Sequence, residues 1–198
     1  MCKQIILLRW WTPKENYKDY YDFLEKYDIN PYEEKKLKWS DTLSSDLWDN
    51  FEVLKIYRPN KDFADYKAWK IIFEKYIPYI KDGAIFVWHS LWGSFFLKYF
   101  EENPILLEKF KKIILIAPAV DDSELELLGT FKPDLTFKNL KKYQNKIVVF
   151  ASKDDFVVPF REIEILKKHL PKATYKIFDD KWHFLQEKFY ELYDEIKW

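Results

Sequence analysis

Short apolar runs of strand length alternate along this chain with longer stretches whose apolar residues recur every three or four positions, and no other feature narrows the possible folds as much. Strands are expected near residues 4–9, 51–57, 84–88, 112–117, 146–151 and 174–178. Helices are expected over 17–26, 62–79, 91–102, 160–169 and 185–196, with Pro78 and Pro171 marking ends or kinks. Repeated strand–helix units bury both sheet faces only if the strands run mostly parallel with helices on either side. The expected class is therefore α/β: a doubly wound, three-layer αβα sandwich of about six strands with minimal or no cap. Residues 31–50 are charged and should include one more helix, with ends that the pattern does not define. Residues 121–145 fit neither period and are long enough for a small lid.

Composition excludes several classes. The 198 residues suit one domain spanning 1–198, and 48% hydrophobic residues make the chain too apolar for intrinsic disorder. Lys and Arg number 33, as do Asp and Glu, so no net field favours nucleic acid or a membrane surface. The longest apolar runs, such as 113–120, are far short of the roughly 20 residues that cross a bilayer. The start, Met1-Cys2-Lys3-Gln4, leads straight into a strand without a secretion signal, so a cytoplasmic protein is expected. One cysteine, Cys2, and three histidines leave no disulfide and little for a metal cluster. No cofactor is expected, and no protein partner is indicated. The anomaly is 3 glycines beside 9 tryptophans.

Chemistry gathers at three strand ends. The third strand runs into Trp88-His89-Ser90-Leu91-Trp92-Gly93-Ser94 and then a helix. In that context a sharp turn can push a serine hydroxyl out above the sheet, while the helix N-terminus offers N–H groups to a developing oxyanion. Taken literally, the G-x-S-x-G motif fails, because Trp88 and Trp92 occupy both glycine positions. The plainer alternative makes Ser90 a helix cap. After the fifth strand come Asp154 and Asp155, and after the sixth comes His183. In open α/β sheets ligands bind at the carboxyl ends of the strands, and the order Ser, acid, His is that of α/β-hydrolases. Each signal alone is weak; three in this order point to one site.

On these residues the chain resembles the small single-domain serine hydrolases of the YdeN-like type, within the α/β-hydrolase superfamily. The matching stretches are residues 5–12, where the family has H-G-G or R-G-G, and 87–93, where it has V-G-H-S-L-G-G. Ser152-Lys153-Asp154-Asp155 with Val157-Val158-Pro159 also matches, as does Lys181-Trp182-His183-Phe184, where the family has G-H-F. Arg58-Pro59-Asn60 and Tyr66-Lys67-Ala68-Trp69 fit its second strand and the following helix.

The resemblance implies a serine hydrolase that cleaves a small acyl ester, thioester or amide. Ser90 attacks the carbonyl, His183 carries the proton, and Asp155 orients the imidazole; water then releases the acyl-enzyme. The backbone N–H groups of Leu91 and Trp11 are the expected oxyanion donors. Asp155 is preferred to Asp154 because it aligns ahead of Val157-Val158-Pro159, with Asp179 and Asp180 as second candidates. His89 reads as a packing residue, His169 as a surface residue near a helix end, and Tyr17, Tyr20, Tyr21 and Phe23 as core and surface of a helix. A nucleotide or redox enzyme would need a Gly-rich phosphate loop after the first strand, and R-G-G-T with glycine at 10 and 11 has neither known spacing.

The main departures from the family pattern put Trp where it has Gly, at Trp10, Trp11, Trp88, Trp92 and Trp182; Trp48, at a helix end, is a sixth case. A gene in which UGA encodes glycine, read with UGA as tryptophan, gives this pattern. Trp39 and Trp69 fit as genuine tryptophans. The rival explanation is a catalytically impaired hydrolase fold serving as a protein-interaction module. Oversized side chains packed at the serine turn are expected to cost about 1–3 kcal/mol each.

Overall fold

The computed structural model describes residues 3–8, 14, 16–32, 34, 36–47, 50–57, 59–122 and 128–197. Its six strands are β1 (Lys3–Leu8), β2 (Phe51–Lys55), β3 (Ala84–His89), β4 (Phe110–Ile116), β5 (Ile147–Ser152) and β6 (Thr174–Phe178). They form one sheet in the order β2-β1-β3-β4-β5-β6, every pair parallel. β3 and β5 are buried along their whole length, whereas the edge strands β2 and β6 are only partly covered. That is why the central strands read as unbroken apolar runs. The order reverses where β1 meets both β2 and β3, and such a reversal opens a crevice beyond the strand ends.

Helices α1 (Tyr17–Lys26), α2 (Trp39–Asp46), α3 (Tyr66–Tyr76), α4 (Leu91–Glu102), α5 (Phe160–His169) and α6 (Tyr190–Lys197) complete the framework. Side chains alternate across a strand, so each strand feeds two cores. Ile6, Leu8, Phe86, Trp88, Ile113 and Leu115 pack with α3, α4 and α5. Ile5, Leu7, Ile85, Val87, Ile114 and Ile116 pack with α2 and α6. Local chemistry sets several helix starts: the side chain of Asn16 accepts the N–H of Asp19 before α1, and Asp65 accepts that of Ala68 before α3.

Several expectations need correction. The third helix starts later than its apolar pattern, at Tyr66, and Pro78 tightens its end into a 3-10 turn over Ile77–Tyr79. α6 begins at Tyr190, not 185, because the chain before it is engaged elsewhere: Gln186 O accepts the backbone N–H of Trp39 at 3.0 Å. No residue of α1 is buried, so its aromatics supply no core; Tyr17 and Tyr20 lean on Phe63 at the surface. The described part of 121–145 does not stand over the sheet as a lid. Leu128, Phe131, Phe137 and Leu140 are buried in the core, the Phe131 ring lies 4.6 Å from that of Trp69, and Glu101 of α4 accepts the N–H groups of Asn139 and Leu140. No described helix is long and apolar enough to cross a membrane.

Candidate active site

Ser90 sits between β3 and α4 with φ 59° and ψ −128°, a backbone region that non-glycine residues rarely occupy. The corner is held by Ser90 N–H donating to Ile116 O at 2.9 Å and by Gly93 N–H donating to Ser90 O at 2.6 Å. Gly93 lets α4 close in: a Cβ there would lie 2.5 Å from Pro118 Cβ. Ser90 occupies the N-cap position of α4, but its side chain makes no cap hydrogen bond. Its Oγ is fully buried and has no hydrogen-bond partner among the described residues. Leu91 opens α4, so no carbonyl one turn back can accept its N–H. Trp10 and Trp11, with the expected second oxyanion donor, lie outside the described residues, as does Trp48.

The acid and the histidine meet. His183 Nδ1 lies 2.9 Å from Asp155 Oδ2 and 3.1 Å from Oδ1. A carboxylate accepts, so Nδ1 carries a proton, and in the neutral ring that leaves the lone pair on Nε2. Asp155 Oδ1 also accepts the N–H groups of Val157 at 2.8 Å and Val158 at 2.9 Å, which fixes the carboxylate. Asp154 turns away: its Oδ1 accepts from Ser152 Oγ at 2.5 Å and from the N–H of Trp182 at 3.0 Å. Asp179 is an exposed partner of Lys153. The geometry thus separates three of the four carboxylates that the sequence left in competition.

His89 precedes Ser90 and, by strand alternation, points to the opposite face from Trp88. Its ring centroid lies 4.9 Å from that of His183, and its Nε2 lies 2.9 Å from His183 O. A carbonyl only accepts, so His89 Nε2 bears the proton. Burial, then the neighbouring His183 and Lys38, push the His89 pKa well below its ordinary value, against the effect of the hydrogen bond. This contact is more than the packing role expected of His89. A second missed residue is Glu162, buried in the first turn of α5, whose carboxylate accepts the N–H groups of Val120 at 2.7 Å and Asp121 at 3.2 Å and ties down the loop after β4. Burial raises its pKa. Its only sequence signal was a carboxylate inside an otherwise apolar stripe. His169 ends α5, half-buried, with Phe137 against its ring.

The tryptophans divide. Trp39 Nε1 donates to Phe184 O at 2.8 Å, and Trp69 Nε1 to Pro59 O at 3.2 Å. The rings of Trp88 and Trp92 find room under the serine corner, Trp92 stacked on Trp69 at 3.8 Å and Trp88 among Phe86, Phe95 and Phe96. Both are fully buried, and neither indole N–H has an acceptor among the described residues. In place of the expected overcrowding there are two donors without an acceptor among the described residues, each costing about 1–3 kcal/mol. Trp182 is 65% exposed with φ 49°, a left-handed conformation costly for a side chain of its size. Among the described residues no group of His, Cys, Asp or Glu is arranged to hold a metal ion.

No family model matches the chain, and no curated protein does. Solved structures do. The ydeN gene product of B. subtilis superposes with a TM-score of 0.70 at 18% identity, over 98% of this chain and 97% of that one. A putative YdeN-like hydrolase from Pectobacterium atrosepticum gives 0.58 at 12%, over 99% and 89%. A structure from work on carboxylesterases of the Thaumarchaeon Nitrososphaera gargenis gives 0.60 at 15%, over 80% and 83%. At such identities the likeness is one of fold.

Proposed function

The chain has an α/β-hydrolase fold, and we propose that it works there as a serine hydrolase cleaving a small acyl ester, thioester or amide. The observation that carries this reading is the Asp155–His183 hydrogen bond on the same sheet edge as a serine in a strained corner at a helix start. Ser90 Oγ attacks the acyl carbonyl while His183 Nε2 takes its proton; Asp155 keeps the imidazole in the tautomer that makes this possible and stabilises the cation. The Leu91 N–H faces the developing oxyanion, with Trp11 as the second donor. His183 then returns the proton to the leaving group, and water attacks the acyl-enzyme by the same route. The solved neighbours described as carboxylesterases and YdeN-like hydrolases support this class of reaction. Full burial of Ser90 and His183 favours a small acyl group over a bulky one.

The same reading takes 88, 92 and 182 as glycine positions in the functional chain, with UGA codons behind the tryptophans. The two unpartnered indoles and the left-handed backbone at Trp182 support it. An interaction module would have no use for a strained serine or for an oriented imidazole. Fluorophosphonate labelling tests the proposal: Ser90 should be the labelled residue, and Ser90→Ala should abolish labelling and lower turnover of an activated ester by about 10³-fold or more. Unlabelled protein, even with glycine at these positions, would leave the interaction module standing.

A further inference from the structure

The turn that carries His183 is strained on both sides. Trp182 has φ 49° and Phe184 has φ 53°, so the histidine sits between two left-handed non-glycine residues. Such backbone persists only where its surroundings over-determine it. Here they do so through specific donors. Lys181 N–H donates to Ser152 Oγ at 3.0 Å, Trp182 N–H to Asp154 Oδ1 at 3.0 Å and Phe184 N–H to Lys181 O at 2.9 Å. Two of its carbonyls, His183 O and Phe184 O, are taken by side chains from elsewhere in the fold: His89 Nε2 at 2.9 Å and Trp39 Nε1 at 2.8 Å.

These two donors differ in what they are attached to. Trp39 belongs to α2 and anchors the turn to the helical layer. His89 ends β3, its backbone is paired with Ile116, and the next residue is Ser90. A single rigid residue therefore links the strand that presents the serine to the carbonyl of the histidine that must reach it. Its ring also lies 6.0 Å from that of Trp39 and 4.9 Å from that of His183, centroid to centroid.

We propose that His89 is a positioning residue, a strut from the serine's strand to the main chain of His183 that sets the span between Ser90 and the imidazole, with Trp39 fixing the adjacent carbonyl. This rests on the hydrolase reading above. Because the strut acts on alignment and not on substrate contact, its loss acts on kcat more than on KM. A misplacement of about 1 Å can cost about 10²-fold.

The test compares three substitutions in the full chain with an activated acetyl ester. His89→Leu removes the donor and should lower kcat by about 10- to 100-fold while KM stays within about threefold. His89→Gln places an amide N–H where Nε2 stood and should keep kcat within about threefold of the parent. The downfield proton resonance of the His183–Asp155 hydrogen bond should persist in the parent and His89→Gln, and be broadened away in His89→Leu. Unchanged kcat and resonance in His89→Leu overturn the proposal, as does a His89→Gln variant as impaired as His89→Leu. If His89→Leu does not fold, His89→Asn decides: its amide is too short to reach His183 O, so kcat equal to that of His89→Gln overturns the strut. A protein that takes no label at Ser90 even with glycine at 88, 92 and 182 sinks the hydrolase reading instead, and the resonance then still reports whether His89 holds His183.

Discussion

The layer beneath Ser90 and the layer beneath His183 are both aromatic, both buried and only one strand residue apart, yet they treat polar hydrogen differently. Beneath His183, the ring donors of Trp39 and His89 each meet a backbone carbonyl. Beneath Ser90, Trp88 and Trp92 fill space but bring two N–H groups that meet no acceptor among the described residues. A buried tryptophan that belongs to its site usually finds an acceptor, since the alternative forfeits solvation without return. Bulk alone is tolerated in an aromatic core; a buried donor without a partner marks a residue for which the surroundings were not shaped. On the proposed reading, the layer under His183 is built for its residues, and the layer under Ser90 accommodates them.

The strongest way to break this comparison is to remove the accommodated rings. Replacing Trp88, Trp92 and Trp182 together with glycine should raise the melting point and the turnover of an activated ester, since about 1–3 kcal/mol is recovered at each buried indole and about 1–2 kcal/mol at the left-handed position. α4 is expected to settle onto β3 once the rings are gone. A fall of about 3–5 kcal/mol per buried ring, the usual cost of emptying a core, would mark Trp88 and Trp92 as native. Sequencing the gene is sharper still, because UGG at those codons ends the misreading hypothesis.

A smaller effect separates the two layers directly. Trp39→Phe strands the Phe184 carbonyl, whereas Trp88→Phe removes a donor that has no acceptor among the described residues. The first should cost about 1–3 kcal/mol more than the second in denaturant unfolding. Equal losses would erase the distinction between the layers.

The smallest effect is a pH slope belonging to the His183 layer. Burial foremost, with His183 and Lys38 nearby, holds the His89 pKa below its unfolded value near 6.5. Below that value the unfolded chain binds a proton that the folded chain refuses, so His89 contributes stability above about pH 6.5 that is lost as pH falls, by up to about 1.4 kcal/mol per unit. Urea midpoints followed from pH 7.5 to 5 should fall more steeply in the parent than in His89→Gln. Parallel curves would show that His89 takes up its proton in the folded state.

Most of the sheet was legible because buried parallel strands must be apolar throughout, and Ile113 to Ile116 and Ile147 to Phe150 cannot be read otherwise. Strand order, crevice and strained corner were not written in periodicity; only the sequence Trp88-His89-Ser90 at a strand end hinted at the last. The choice of Asp155 over Asp154 rested on alignment with Val157 and Val158, and the physical reason appears only in space: those two N–H groups seat Asp155, while Ser152 and Trp182 claim Asp154. α6 was placed five residues too early because helical periodicity carries no information about a carbonyl engaged by Trp39.

By itself, then, the sequence determined the α/β class, the strands and the order in which serine, acid and histidine follow one another, because burial imposes a period and chain order is covalent. Tertiary structure alone decided which carboxylate meets His183, that His89 is a donor as well as a filler, and which tryptophans have acceptors. Hydrogen bonds between residues as far apart as Trp39 and Phe184 depend on where strands and turns converge, and no local pattern encodes that.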